Sequence, residues 1–442
     1  MIKFSAILFV VGFIFFGSTN SAHAATKTWD GSTSGSWSVG TNWSGDIVPV
    51  TGDDLVFPNG ASNLSNTNDL TENTIFNSIT FSGSGYTLSG NRIILGQGLA
   101  GITDSVSSGG NEIASDIRVD TTRDIVVSNL GETLTISGRI SGVGGLTKEG
   151  VGKLVLSGAN TFGGILKINV GVVNAQNDRA LGTILAGTEV VGNAALEFQN
   201  GINITYEALA LRGYGVNSNG ALRNISGNNT FGGLITMIAG GAEIQSDSGT
   251  LNLNGGMAGA FPLVIDGAGN VTYSKTPIGI AAGTVTKNGA GILTYNFPNT
   301  YTGLTTINAG TLLYGVNNAL LSGAITVTGG TLDIATFSDM VGTVTLGTLN
   351  LESGTITGTT GMLSGAAWTV YNGTISAIIA GDMSALTKST PGTVVLTRAN
   401  QYTGATTVSL GILEIQDSLS LGDIDGITTV TAGATLQVNG TG

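Results

Sequence analysis

A 37-residue frame recurs three times without a gap, and this limits the possible folds more than any other feature. The copies cover residues 146–182, 285–321 and 386–422. The first opens LTKEGVGKLVLSGANTFGG, the second VTKNGAGILTYNFPNTYTG and the third LTKSTPGTVVLTRANQYTG. Lys148, Lys287 and Lys388 stand 12 residues before Asn160, Asn299 and Asn400, and each Asn stands four before Gly164, Gly303 or Gly404. A second glycine (Gly171, Gly310, Gly411) follows each Lys by 23 residues. A decayed copy, NTFGG, occupies 229–233. Repeats of this kind reflect one supersecondary unit that cannot cover both its faces until a neighbour stacks on it.

Each unit reads as strand, turn, strand, turn, strand. The runs at 154–156, 166–168 and 172–173 are short, β-branched or leucine-rich, and bounded by Gly, Asn and Ser, which is strand chemistry. No window sustains a helical period. The frame Asn is expected to be a turn residue tolerating left-handed angles, and the Gly after it to supply positive φ. The aromatic between them (Phe162, Tyr301, Tyr402, and Phe231 in the decayed copy) is expected over the turn. The Lys, one per copy at a corner, is read as a solvated charge that discourages edge pairing.

These features predict an all-β chain, a right-handed parallel β-helix with an N-terminal cap. A β-propeller is the alternative, but its blades recur evenly, whereas these copies lie 139 and 101 residues apart. At roughly 20–24 residues per coil and about 4.8 Å per coil, 17–21 coils would make a rod on the order of 80–100 Å long.

Composition narrows function by exclusion. Charged residues are 10% of the 442, and Gly accounts for 71. Net charge is −12 with no basic run, which argues against nucleic acid as a partner. There is no cysteine, and the single histidine, His23, falls in a leader-like segment. A mature chain without either cannot build a Ser-His-Asp or Cys-His centre, or a zinc site of the usual ligands. We therefore expect no catalytic residue, no metal ligand and no cofactor.

Residues 1–24 have a secretory leader's parts: Lys3, an apolar stretch over 6–16 and the small-x-small Ala22-His23-Ala24. Residues 25–59 hold Trp29, Trp37 and Trp43, read as a cap over the first coil, with a sugar-binding platform as the alternative. Asp53-Asp54 is read as a solvated turn and not a Ca²⁺ site. Residues 60–442 are expected to be the β-helix. Within it Asp116, Arg118, Asp120, Arg123 and Asp124 make the densest charge cluster, read as an exposed face and not an enzyme groove. The fragment DGAGN at 266–270 is too short a match to Ca²⁺-binding nonapeptides to carry weight. The stretch closes at 439–442 in repeat-type sequence, without barrel strands.

The repeats at 146–164, 285–303 and 386–404, each with its following strand pair, resemble the autotransporter-associated β-strand repeat, also called the passenger-associated transport repeat. The Trp-rich stretch running to Asp54 and Phe57 is similar to the start of such passengers. The resemblance implies a β-helical passenger at a bacterial surface, exported with the help of a C-terminal outer-membrane translocator barrel that these residues do not include. Its expected role is structural or adhesive, with glycans or proteins of other surfaces as partners. A β-helical polysaccharide lyase or hydrolase, or a carbohydrate-binding surface protein, is the alternative.

Overall fold

The structure is a computed structural model, describing residues 25–96, 101–350 and 352–440. The leader expected at 1–24 lies outside these residues. Every pairing between its named strands is parallel. The chain winds through about 17 turns of a β-solenoid. Leu146 pairs with Leu166 and Leu166 with Thr188, so a turn here takes 20 or 22 residues. Parallel neighbours need a long connection between them, and here the rest of the coil is that connection.

Three ladders run along the rod. The first passes through Asp54–Phe57, Ser78–Phe81, Arg123–Val127, Leu146–Glu149, Leu166–Ile168 and Leu209–Gly213. The second contains Glu132–Ile136, Lys153–Leu156, Val172–Ala175 and, further on, Leu263–Asp266, Val285–Lys287 and Thr305–Ile307. The third begins with Ile75–Phe76, Ile93–Leu95, Ile117–Val119 and Ile140–Ser141. Single backbone bonds carry it on, from Thr161 N–H to Ile140 and from Thr183 N–H to Phe162. It then resumes as Asn203–Ile204, Asn228–Phe231, Thr250–Leu253, Asn270–Tyr273 and Ile292–Tyr295.

Alternation builds the core. In Glu132–Ile136 every second residue is buried, and Leu134 and Ile136 are fully so. One column of Leu, Ile and Val therefore fills the interior from coil to coil, each side chain contributing about 1.5–3 kcal/mol of burial. Rotation of the chain about this column is forbidden, because a one-residue slip would turn every apolar side chain to solvent.

The Trp-rich segment is packed just as tightly. Trp29, Trp37 and Trp43 are all 0% exposed. Their rings meet edge to face, Trp29 with Trp43 at 5.0 Å and Trp37 with Trp43 at 5.7 Å, around Phe57. Each indole N–H donates to a carbonyl: Trp29 to Asn63 O, Trp37 to Asn66 Oδ1 and Trp43 to Trp37 O. No indole face is left to stack on a sugar. Asp53, expected in a solvated turn, is buried, and its two oxygens accept from the Ala25 and Val50 N–H groups.

Candidate functional site

The residues that repeat are the ones with a shared geometry, and four of the sequence expectations change once they are placed. The frame lysines are not solvated. Lys148, Lys287 and Lys388 are 0%, 2% and 0% exposed. Each lies in a strand two residues after an inward Leu or Val, as in Leu146, Thr147, Lys148, so the two-residue alternation turns it inward with its neighbour. Its ammonium then reaches the corner, where backbone carbonyls have left the ladder. Lys148 Nζ donates to Glu149 O (2.8 Å) and Gly150 O (2.7 Å) on its own coil and to Val170 O (3.2 Å) on the next. Lys287 donates to Gly289 O and, one coil on, Ala309 O. Lys388 donates to Thr390 O and to Leu410 O of the following coil. Burial pushes all three down to about 8; the carbonyl partners favour the charged form, as a buried cation requires.

The frame asparagines are not left-handed turn residues. They are absent from the positive-φ positions and are buried. Their amides bridge three coils. Asn160 Oδ1 accepts the Ile140 N–H of the coil before, and its Nδ2 donates to Ala180 O of the coil after, at 2.8 and 2.7 Å. Asn299 does the same with Ile278 and Ala319, and Asn400 with Ile379 and Ser420. The amide replaces main-chain ladder bonds where the strand has broken off, which satisfies the requirement that buried backbone groups be paired. In the decayed copy Asn229 keeps the first half, accepting from Ile202 N–H, but donates to its own coil.

The glycine after each Asn is also not a positive-φ residue. A Cβ on Gly164, Gly303 or Gly404 would collide with the backbone of the preceding coil, so close approach excludes a side chain there. Positive φ falls instead on Gly171, Gly310 and Gly411, at 72°, 65° and 76°. The aromatics lie in the core, not over the turn. Tyr301 and Tyr402 each share a hydrogen bond with a hydroxyl four residues on, Thr305 and Thr406, at 2.8 Å. Where the aromatic is Phe162 or Phe231, that partner is Leu166 or Ile235. A buried phenol brings its acceptor with it, a pairing visible in the sequence once the two columns are read together.

The charge cluster divides. Arg118 pairs with Asp120 (2.9 Å) and Arg139 with Asp116 (3.0 Å), all partly exposed. Arg123, expected on the same face, is buried, because it begins a strand whose odd positions point inward. A second acidic group forms from residues 28 apart in sequence, Asp104 and Glu132. Asp104 and Glu132 are both buried, and Asn111 Nδ2 donates to both Asp104 oxygens. Burial and the Glu132 carboxylate push Asp104 up to about 8, so it carries a proton at neutral pH. Glu132 is held by the N–H groups of Val106 and Asn129. Among the described residues no three His, Cys, Asp or Glu side chains group in a way that could hold a metal ion.

Comparison with known proteins picks out the same frame. The family described as passenger-associated-transport-repeat matches residues 146–175, 285–313 and 386–415. A curated relative, the adhesin BmaC autotransporter of Brucella suis biovar 1 (strain 1330), is 28% identical over 72% of this chain. That match spans 11% of the relative's own length. No solved structure matches the chain significantly. Three stretches of the chain match this repeat, and each match ends four or five residues past the carbonyl that its Lys bonds on the next coil.

Proposed function

We propose that this chain is part of a surface-exposed, non-catalytic adhesive passenger. Its leader (1–24) directs secretion, its Trp-rich segment (25–59) caps the first coil, and an outer-membrane barrel delivers it outside. About 17 turns at about 4.8 Å make a rod on the order of 80 Å, long enough to hold exposed loops well clear of a membrane. The observation that carries the reading is the set of side-chain clamps between successive coils. Each Lys joins its own coil to the one that follows, and each Asn joins its coil to the ones before and after. A coil that emerges therefore completes the hydrogen bonding of the coil already folded, and stacking proceeds along the chain. Folding outside the membrane would then oppose backsliding and assist export.

The test uses the full-length protein in cells that display it. Replacing Lys148, Lys287 and Lys388 together by Met should slow the appearance of the rod on intact cells, read by antibody labelling against time. Adherence should fall in proportion to displayed protein. Absence of the wild-type rod from the cell surface, or display kinetics unchanged in the triple variant, would overturn the surface or the export part respectively.

A further inference from the structure

The stacking chemistry considered for the tryptophans is offered elsewhere. Tyr206 is 75% exposed, the most exposed aromatic ring among the described residues. It stands at the rim of a cleft of about 280 Å³ on the outside of the rod, formed where the coil of Asn160 meets the coils of Thr183 and Ile204. Its hydroxyl and ring have no partner among the described residues.

The polar groups around the ring are unspent. Asp178 accepts the Asn203 N–H through Oδ1 (2.7 Å), which fixes the carboxylate and leaves Oδ2 without a bond. Arg179 beside it is exposed and its guanidinium makes no ion pair among the described residues. In the cleft wall, Thr183 Oγ1 is buried with no hydrogen-bond partner, an arrangement that costs free energy unless a ligand or solvent fills it. The cleft thus combines an aromatic face, one acceptor, one forked donor and one orphaned hydroxyl.

We propose that this cleft is a subsite for a neutral pyranose. A pyranose ring presents an apolar C–H face to an aromatic ring and adjacent hydroxyls that both donate and accept, which Asp178 Oδ2 and Arg179 can meet together. The volume suits one sugar ring and is too small for a folded partner. Asp178 and Arg179 offset one another in the cleft, and burial pushes Glu207 of its lining up to about 7, so an uncharged ligand fits better than one of either sign. The proposal rests on the adhesive reading for its purpose, but the binding event stands or falls separately.

The full chain is titrated with the methyl glycosides of glucose, galactose, mannose and N-acetylglucosamine, with saturation-transfer NMR as readout. At least one should bind. Tyr206→Ala should weaken it about tenfold, while Tyr206→Trp keeps it within about threefold. Because the ring is exposed, neither change disturbs the core. Failure of all four glycosides to bind at millimolar concentration, or unchanged binding in Tyr206→Ala, overturns the subsite. Cells that display Tyr206→Ala and still adhere, when the soluble variant has lost the sugar, would leave the subsite standing and remove it from adhesion. Loss of both together supports the two readings jointly.

Discussion

The first repeat copy and the later two share a frame but not a side of the rod. Val285–Lys287 and Leu386–Leu396 belong to one ladder, linked through Thr305, Ile325, Val344 and Trp368. Leu146–Glu149 belongs to another, which runs through Leu166, Thr188, Leu209, Ile235 and Met257 to Ile278. That ladder reaches the place where Asn299, not Lys287, makes its bond. Copy one is therefore set one face back. The same amides and ammonium groups satisfy the same kinds of carbonyl on either face. The frame is a local corner device, indifferent to which side of the column it closes, provided that a coil lies below it and another above.

The copies differ in what surrounds them, and pH should expose the largest difference. Asp104, Glu207 and Glu243 are pushed up by burial, to about 8, 7 and 7. A fold that holds these protons is most stable below the ordinary carboxyl range and loses stability as pH rises through about 8. The lysines act in the opposite sense. Their folded values near 8 lie below the 10.5 of an unfolded lysine, so stability returns as pH rises from about 8 towards 10. Local hydrogen exchange across residues 102–245 should thus pass through a stability minimum near pH 8. Residues 386–415, with Lys388 and none of the three carboxyls, should show only the rise. Identical profiles in both regions would break the distinction.

Single substitutions sharpen the equivalence of the frames. Asn400→Leu leaves the Ile379 N–H and the Ser420 carbonyl buried and unpaired, and should lower local opening free energies by about 2–4 kcal/mol. Asn160→Leu should cost a similar amount on its different face. A value below about 1 kcal/mol for either would show that the corners are not alike. Lys388→Met, which abandons the carbonyls of Thr390 and Leu410, should cost about 2–3 kcal/mol by the same measurement.

The aromatic columns give a smaller and more discriminating test. Tyr402→Phe should cost about 1 kcal/mol by stranding the Thr406 hydroxyl. Adding Thr406→Val, which reproduces the apolar pairing of the first copy, should recover most of it in a double-mutant cycle. No recovery would mean that the Phe162–Leu166 pairing is not equivalent. Smallest of all, Arg118→Ala removes only an exposed pair with Asp120 and should change stability by less than about 0.5 kcal/mol.

The architecture was legible because spacing carries it. Copies in gapless alignment and short strands such as 79–81, 125–127 and 195–198 fall where the pattern places them. The frame's interior was not, although its clues were present. Lysine is so regularly a surface residue that Lys148 reads as solvent-facing, yet its separation by two from Leu146 puts it on the inward side. The inward-facing carbonyls that need an ammonium are a product of coil stacking and leave no mark on composition. Asn160 reads as a turn residue for a related reason. Its amide serves residues 20 positions away in both directions, and local turn chemistry has no account of such partners. The face offset follows from the 139-residue spacing, which is not a whole number of coils. The cleft under Tyr206 had no sequence signal, since it joins residues from three coils.

Selective amine labelling of the folded full chain, resolved by mass spectrometry, tests the buried frame most directly. Lys153, Lys167 and Lys275, which reach solvent, should be modified readily. Lys148, Lys287 and Lys388 should stay unmodified until the chain is unfolded. Labelling of these three at the rate of Lys167 would contradict the account, because an ammonium open to reagent cannot be the group that ties each coil to the next.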